Sequence, residues 1–248
     1  MALWLAVVAG LSIGVGGIIP LMGGVILSRH SLSTVLLALA GGAVLTIVAV
    51  DVIPMAWQGG SPISLVGWLL IGVVTMALLH RLLDSGHPRA GHHHPGRNSE
   101  TRWLHAATMV WLGVALHNVM DGFGIGAGFE ASHHLGWAMA AAVGLHNIPV
   151  GMLVATPLVM GRLAGRRVFL TTILAGLFTP LGAVAGGFLA AVSTAGMAAA
   201  VALAGGSLLY IILGELFPLS WQQSRLVTVV AGVTGVVLVL LAHGLVEG

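Results

Sequence analysis

The chain has 248 residues, 58% of them hydrophobic and only 6% charged, with a formal net charge of +2 and a mean hydropathy of +1.05. Ordinary soluble domains carry about 25% charged residues, so this composition excludes a soluble globular protein and describes an all-α chain that crosses a membrane repeatedly. Cysteine is absent, which removes disulfides and thiolate metal ligands.

A span needs about 20 apolar residues. Breaks at charged or Gly/Pro/Ser-rich segments predict eight transmembrane helices, at roughly 2–27, 34–57, 63–83, 104–128, 135–160, 168–192, 197–219 and 226–245. Met1 runs into ALWLAVVAG with neither a basic segment nor a small-residue cleavage site, so a removable signal peptide is not expected. All basic charge is arginine. Arg29 follows span one; Arg81, Arg89, Arg97 and Arg102 follow span three; Arg162, Arg166 and Arg167 follow span five; Arg225 follows span seven. The other loops and both termini carry none. By the positive-inside rule the arginine side is cytoplasmic and both termini face out. The basic balance therefore reflects topology, and no nucleic-acid partner is expected. Residues 1–248 are expected to form a single transmembrane domain, and the short loops suggest a bacterial inner membrane.

One loop is longer. Residues 84–103, DSGHPRAGHHHPGRNSETRW, are polar, rich in Gly and Pro, and expected to be disordered and cytoplasmic. His87, His92, His93 and His94 lie here. The segment is either a solvated linker or, as the histidine run favours, a weak metal-capturing tether.

Span two and span seven repeat one pattern: GGAVLTIVAVDVIPMAW at 41–57 and GGSLLYIILGELFPLSW at 205–221 share Gly-Gly, an acid, Pro and Trp at equal offsets. The topology runs them in opposite directions. With spans four and five also antiparallel, the chain reads as 3+2+3, its outer triplets inverted repeats about a pseudo-two-fold axis. Inverted repeats with a midplane site are a transporter architecture; generic membrane packing and interface anchoring are the competing explanation.

Two near-copies of a second pattern, LHNVMDG at His117 and LHNIPVG at His146, lie within spans four and five. A mid-membrane carboxylate costs about 2.5–3.5 kcal/mol on insertion scales, so polar side chains placed there twice call for a purpose. Helical geometry sets His117 and Asp121 on one face with Asn118 beside them, and His146 and Asn147 repeat the relation. In span five Val150 takes the acid's place. Pro149 cannot donate to the carbonyl of Leu145, and that oxygen is expected to face a polar path. Five donors, from His117, Asn118, Asp121, His146 and Asn147, can surround a borderline divalent cation such as zinc. Interhelical hydrogen bonding is the alternative role. Gly122, Gly124, Gly126 and Gly128 read as a ridge for close helix approach.

Asp51 and Glu215 are the remaining intramembrane acids, nearer the outer end of span two and the inner end of span seven. Pro54 and Pro218 follow each and free the carbonyls of Val50 and Gly214. The two acids read as entrance and exit carboxylates, with Asp51 equally readable as an acid snorkelling to the interface.

The eight spans, the His-rich loop, HNVMDG and HNIPVG resemble the ZIP (Zrt/Irt-like) metal transporters over nearly the whole chain. TPLGA at 179–183 is similar to that family's EPLGA in span six, and LGELFP at 213–218 to its span-seven segment. The resemblance implies uptake of zinc, iron, manganese or related ions into the cytoplasm, zinc first, with no prosthetic group and no enzymatic activity. It assigns His117, Asn118, Asp121, His146 and Asn147 to the metal, and places Glu215 where the family has an acid towards the exit. Val150 stands where the family has a bridging Glu, and Thr179 where many bacterial members have another. One carboxylate cannot offset two divalent ions at low dielectric, so at most one tightly held ion is expected. A single-site transporter is the favoured reading, and a metal sensor or non-transporting homologue the alternative. A metalloprotease lacks its H-E-x-x-H motif here, and axial haem ligation by His117 and His146 leaves Asp121 unexplained. The partners expected are the metal ion and the lipid bilayer, with a homodimer left open.

Overall fold

The structure, a computed structural model, describes residues 1–23, 30–85, 99–188 and 194–247, and every regular element among them is helical. In order these are α1 (Ala2–Leu11), α2 (Ile13–Met22), α3 (His30–Ile47), a π turn (Val48–Val52), α4 (Ile53–Gln58), α5 (Pro62–Ser85), α6 (Ser99–Ala131) and α7 (His133–Met160). Then follow α8 (Gly165–Gly176), α9 (Phe178–Phe188), α10 (Thr194–Ile211), a second π turn (Ile212–Leu216), α11 (Phe217–Gln223) and α12 (Arg225–Glu247). Hydrocarbon leaves a backbone no partner but itself, and helices satisfy it internally.

Among the described residues seven helical stretches are long and apolar enough to cross a membrane: Ala2–Met22, Leu32–Gln58, Pro62–Leu82, His133–Met160, Gly165–Phe188, Val201–Gln223 and Arg225–Gly244. They coincide with seven of the eight expected spans. The eighth expected span is α6, whose 33 residues include His105, His117, Asn118, Asp121 and Glu130. Those polar side chains lower its hydropathy. α5 and α12 expose apolar side chains along their length, among them Ile63, Leu70, Val74 and Leu78, and Leu226, Val230, Val233 and Leu241. Such faces suit lipid.

Prolines shape spans two and seven. Pro54 and Pro218 have no N–H for the carbonyl four residues back. The helix widens just before each, and the Ile53 N–H reaches the Val48 carbonyl as the Phe217 N–H reaches that of Ile212. These five-residue steps are π turns. Asp51 and Glu215 sit inside them at corresponding places.

The packing itself repeats. α3 runs parallel to α12: Ser33 and Thr34 hydroxyls donate to Gln223 Oε1 at 3.1 Å, Gly42 meets Gly232 midway, and Asp51 meets His243 at the far end. α5 runs parallel to α10 in the same manner, from Gly60 beside Ala198, through Gly72 against Leu203, to His80 at Tyr210. α2 packs along α7 with Gly16 against the Ile148 carbonyl and Gly151 against that of Ile13. α9 packs along α6 with Gly182 against the Val119 carbonyl and Gly122 against that of Thr179. The four contacts correspond one to one. Gly10 and Gly176 press on each other's carbonyls, next to single-residue irregularities at Ser12 and Leu177 that the sequence did not announce.

α6 and α7 form a helical hairpin. Ser132 alone connects them and caps α7, accepting from the Leu135 N–H at 3.1 Å. The turn is tight enough to force the helices antiparallel, with Gly128 against Gly136 and Gly124 against Met139. α7 ends where the Leu163 N–H reaches the Leu158 carbonyl and Arg162 takes φ 56°, a Schellman-type stop. The main core fills the space between α3, α6, α7 and α10, with Val44, Val48, Val110, Val114, Val150, Leu153, Leu208 and Ile211 buried.

Candidate metal centre

The hairpin determines which side chains face one another. His117 and Asp121 stand one turn apart on α6, and His146 comes across from α7. His146 Nε2 lies 2.9 Å from Asp121 Oδ2, His117 Nε2 lies 3.2 Å from the same oxygen, and the two imidazole rings are 5.5 Å apart. One ligand atom from each residue falls within 4.8 Å of the others. Tetrahedral bonds of about 2.0–2.1 Å hold donors roughly 3.3 Å apart, so the cluster needs little adjustment to embrace an ion. His117 is 2% exposed, and His146 and Asp121 are 14% and 11% exposed. That burial excludes most water while leaving His146 accessible from one side.

The asparagines make the interhelical hydrogen bonds that are the alternative role for these side chains. Asn118 Nδ2 donates to the Ala175 carbonyl at 2.9 Å, and Asn147 Nδ2 donates to the Ala9 carbonyl at 2.8 Å. Ala9 and Ala175 are equivalent positions in α1 and α8, just before the irregular turns. Each amide thereby ties one helix of the α6–α7 hairpin to another helix, α8 or α1, through its Nδ2. Both Oδ1 atoms are buried without a hydrogen-bond partner, as are Thr179 Oγ1 and both ring nitrogens of His117, whose Nε2 lies near Asp121 but off the line of a hydrogen bond. Unpaired buried acceptors cost about 1–3 kcal/mol each.

Thr179 sits on α9 with its carbonyl against Gly122, the residue after Asp121. Val150, the counterpart of Asp121, is fully buried in the apolar core. Asp51 reaches the cluster indirectly: a cavity of about 370 Å³ between α3, α7 and α12 is lined by Asp51, His243, Leu145, Pro149 and His146. Leu145, whose carbonyl Pro149 cannot serve, thus lies on that cavity. Asp51 is 43% exposed, which suits a mouth, and Glu215 is 12% exposed and packs elsewhere, against His80. His92, His93 and His94, with His87, lie outside the described residues. Sequence reasoning passed over His80, His105, Tyr210 and His243. The offset of 164 that relates spans two and seven carries His80 to Gly244, one residue past His243, so only the packing, with Gly72 against Leu203 and Gly235 against Leu39, pairs the two histidines.

Residues 81–243 match the family model described as "ZIP Zinc transporter". Among curated proteins, "Zinc transporter GufA" of Myxococcus xanthus is 31% identical over 152 residues, which cover 60% of this chain. The chain spans 58% of the length of that relative. The matched region takes in both His-Asn motifs, the Thr179 segment and Glu215, and on that extent the chain belongs to the ZIP zinc transporter family.

Proposed function

We propose that this protein carries a divalent metal ion, zinc foremost, across a bacterial inner membrane into the cytoplasm, by a site built from His117, Asp121 and His146 with the amide oxygens of Asn118 and Asn147. The observation that carries the reading is the convergence of two imidazoles on one carboxylate oxygen between antiparallel helices. The name of the relative and the family description support the cargo.

α6 acts as an eighth span, giving a 3+2+3 arrangement over 1–248, with α6 and α7 central and the outer triplets inverted. The repeated packing supports this, as does the run of directions: α3 with α12 and α5 with α10 parallel, α6 against α7 antiparallel. Both termini lie outside, and the 84–103 loop with His92, His93 and His94 lies in the cytoplasm as a capturing tether. Asp51 stands at the entrance, Glu215 at the exit and Thr179 beside the centre. The protein works as a transporter and catalyses no covalent change. With one carboxylate and two imidazoles the centre holds a single ion, because a second dication would meet uncompensated repulsion at low dielectric.

Zinc uptake into proteoliposomes tests the reading. Replacing His117 and Asp121 together by alanine is expected to abolish it; uptake unchanged by that pair of substitutions sinks the assignment. Val150, apolar where its counterpart is Asp121, favours one second reading, a ZIP-like sensor that binds without moving its ion. Stoichiometric zinc binding with no flux would select it.

A further inference from the structure

Besides the central cluster, the described residues hold two contacts between an acid and an imidazole that span two membrane-length helices. Asp51 Oδ1 lies 3.6 Å from His243 Nε2, and Glu215 Oε1 lies 2.8 Å from His80 Nδ1. They are one arrangement made twice. Each acid sits in a π turn ahead of a proline. Each histidine sits near the C-terminal end of the helix running parallel to the acid's own, α12 for Asp51 and α5 for Glu215. The correspondence that lays α3 on α10 and α12 on α5 carries Asp51 to Glu215 and His243 to His80.

Simple charge neutralisation explains either contact alone. It does not explain why both ends of the fold keep a carboxylate, an imidazole and a π turn in matching places, when the corresponding positions in α6 and α7 have diverged to Asp121 and Val150. π turns cost backbone regularity and occur frequently at functional sites. Here each resets the direction of a carboxylate so that it meets an imidazole, and carboxylate oxygen with imidazole nitrogen is again the donor chemistry of a borderline divalent cation.

We propose that Asp51 with His243, and Glu215 with His80, are two matched divalent-cation half-sites at opposite ends of the path, one delivering an ion to the His117–Asp121–His146 centre and the other receiving it. This rests on the central site and orientation proposed above. Two protein donors with water completing the shell bind weakly and exchange quickly, as a relay requires. The outer pair is open, with His243 and Asp51 35% and 43% exposed, and borders the cavity that also reaches His146. The inner pair is closer and better covered, at 24% and 12% exposed. Tyr210 OH lies 3.0 Å from the same His80 nitrogen, and the His105 ring is 5.1 Å away, so further donors stand ready for a departing ion.

The experiment is a Co²⁺ titration of the purified full-length protein, followed by its visible absorption. The central site is removed by His117→Ala with Asp121→Ala, and the loop is silenced by changing His87, His92, His93 and His94 to Asn. Weak binding is expected to persist, and His243→Ala and His80→Ala are each expected to remove a separate part of the signal. In otherwise unaltered protein, His243→Ala should raise KM for uptake at unchanged maximal rate, and His80→Ala should lower the maximal rate at unchanged KM. Absence of Co²⁺ binding in the protein without its central site overturns the proposal. So does a signal indifferent to both histidines, or a loss of thermal stability with Co²⁺ binding intact, which would mark plain structural ion pairs. Wild-type protein that binds Co²⁺ through Asp121 in the same titration keeps the central reading standing whichever result appears.

Discussion

Asn118 and Asn147 make the same bond on opposite sides of the α6–α7 hairpin: each side-chain amide donates to an alanine carbonyl, Ala175 in α8 and Ala9 in α1. Each therefore serves two masters, a structural tie through Nδ2 and an unpartnered acceptor through Oδ1. A metal-free stability measurement separates the two. Asn118→Ala and Asn147→Ala should each destabilise the metal-free protein by about 1–3 kcal/mol, the cost of stranding a buried carbonyl. The two losses should be similar, because the contacts correspond. Zinc affinity should fall as well. Metal-free melting temperatures equal to wild type would assign both residues to the ion alone.

Val150 is the counterpart of Asp121 and is fully buried. Val150→Glu would bring a second carboxylate to the centre. Without metal the variant should melt lower, since an uncompensated buried charge costs several kcal/mol. With zinc it should melt higher than wild type, and its affinity should rise at least about tenfold, or roughly 1.4 kcal/mol. Calorimetric titration measures the second effect; unchanged affinity would displace Val150 from the site.

Close helix approach depends on particular glycines. A Cβ on Gly122 would strike the Thr179 carbonyl, and one on Gly151 that of Ile13, whereas a Cβ on Gly67 or Gly187 meets nothing within 4 Å. Gly122→Ala and Gly151→Ala should each cost about 1–3 kcal/mol through backbone displacement. Gly67→Ala and Gly187→Ala should be neutral or stabilising by up to about 1 kcal/mol, since alanine is the better helix former. Denaturation of the four variants in detergent micelles checks the contrast. Equal losses in all four would deny the tight crossings.

Ala242 lines the cavity beside His243, and the native chain has no cysteine to compete for a thiol reagent. Ala242→Cys should react with a membrane-impermeant maleimide applied from the face opposite the arginine-bearing loops, and zinc should slow the reaction. Modification only from the arginine side would reverse the proposed orientation.

Much of this was legible along the chain, because a bilayer imposes simple rules. Seven spans follow from apolar length alone. The two His-Asn motifs stand out because polar groups are costly in hydrocarbon, and the repeat of spans two and seven is visible because Gly-Gly, acid, Pro and Trp keep their spacing. Helical periodicity put His117 and Asp121 on one face, and α6 holds them so. The same residues lower the hydropathy of α6 below that of a plain apolar span, which is why apolar length returns seven of the eight expected spans among the described residues.

Other features depend on contacts between segments distant in sequence, for which periodicity carries no signal. Only packing reveals that Asn118 and Asn147 spend their amide hydrogens on α8 and α1, or that Gly10 and Gly176 meet. The π turns needed the proline and its neighbours together: a missing N–H says a bond is lost, and the surrounding helices decide how the backbone closes around the gap. His80 and His243 belong to no sequence motif singled out above. They acquire meaning once α5 lies along α10 and α12 along α3, because a donor's chemistry is set by its neighbours in space.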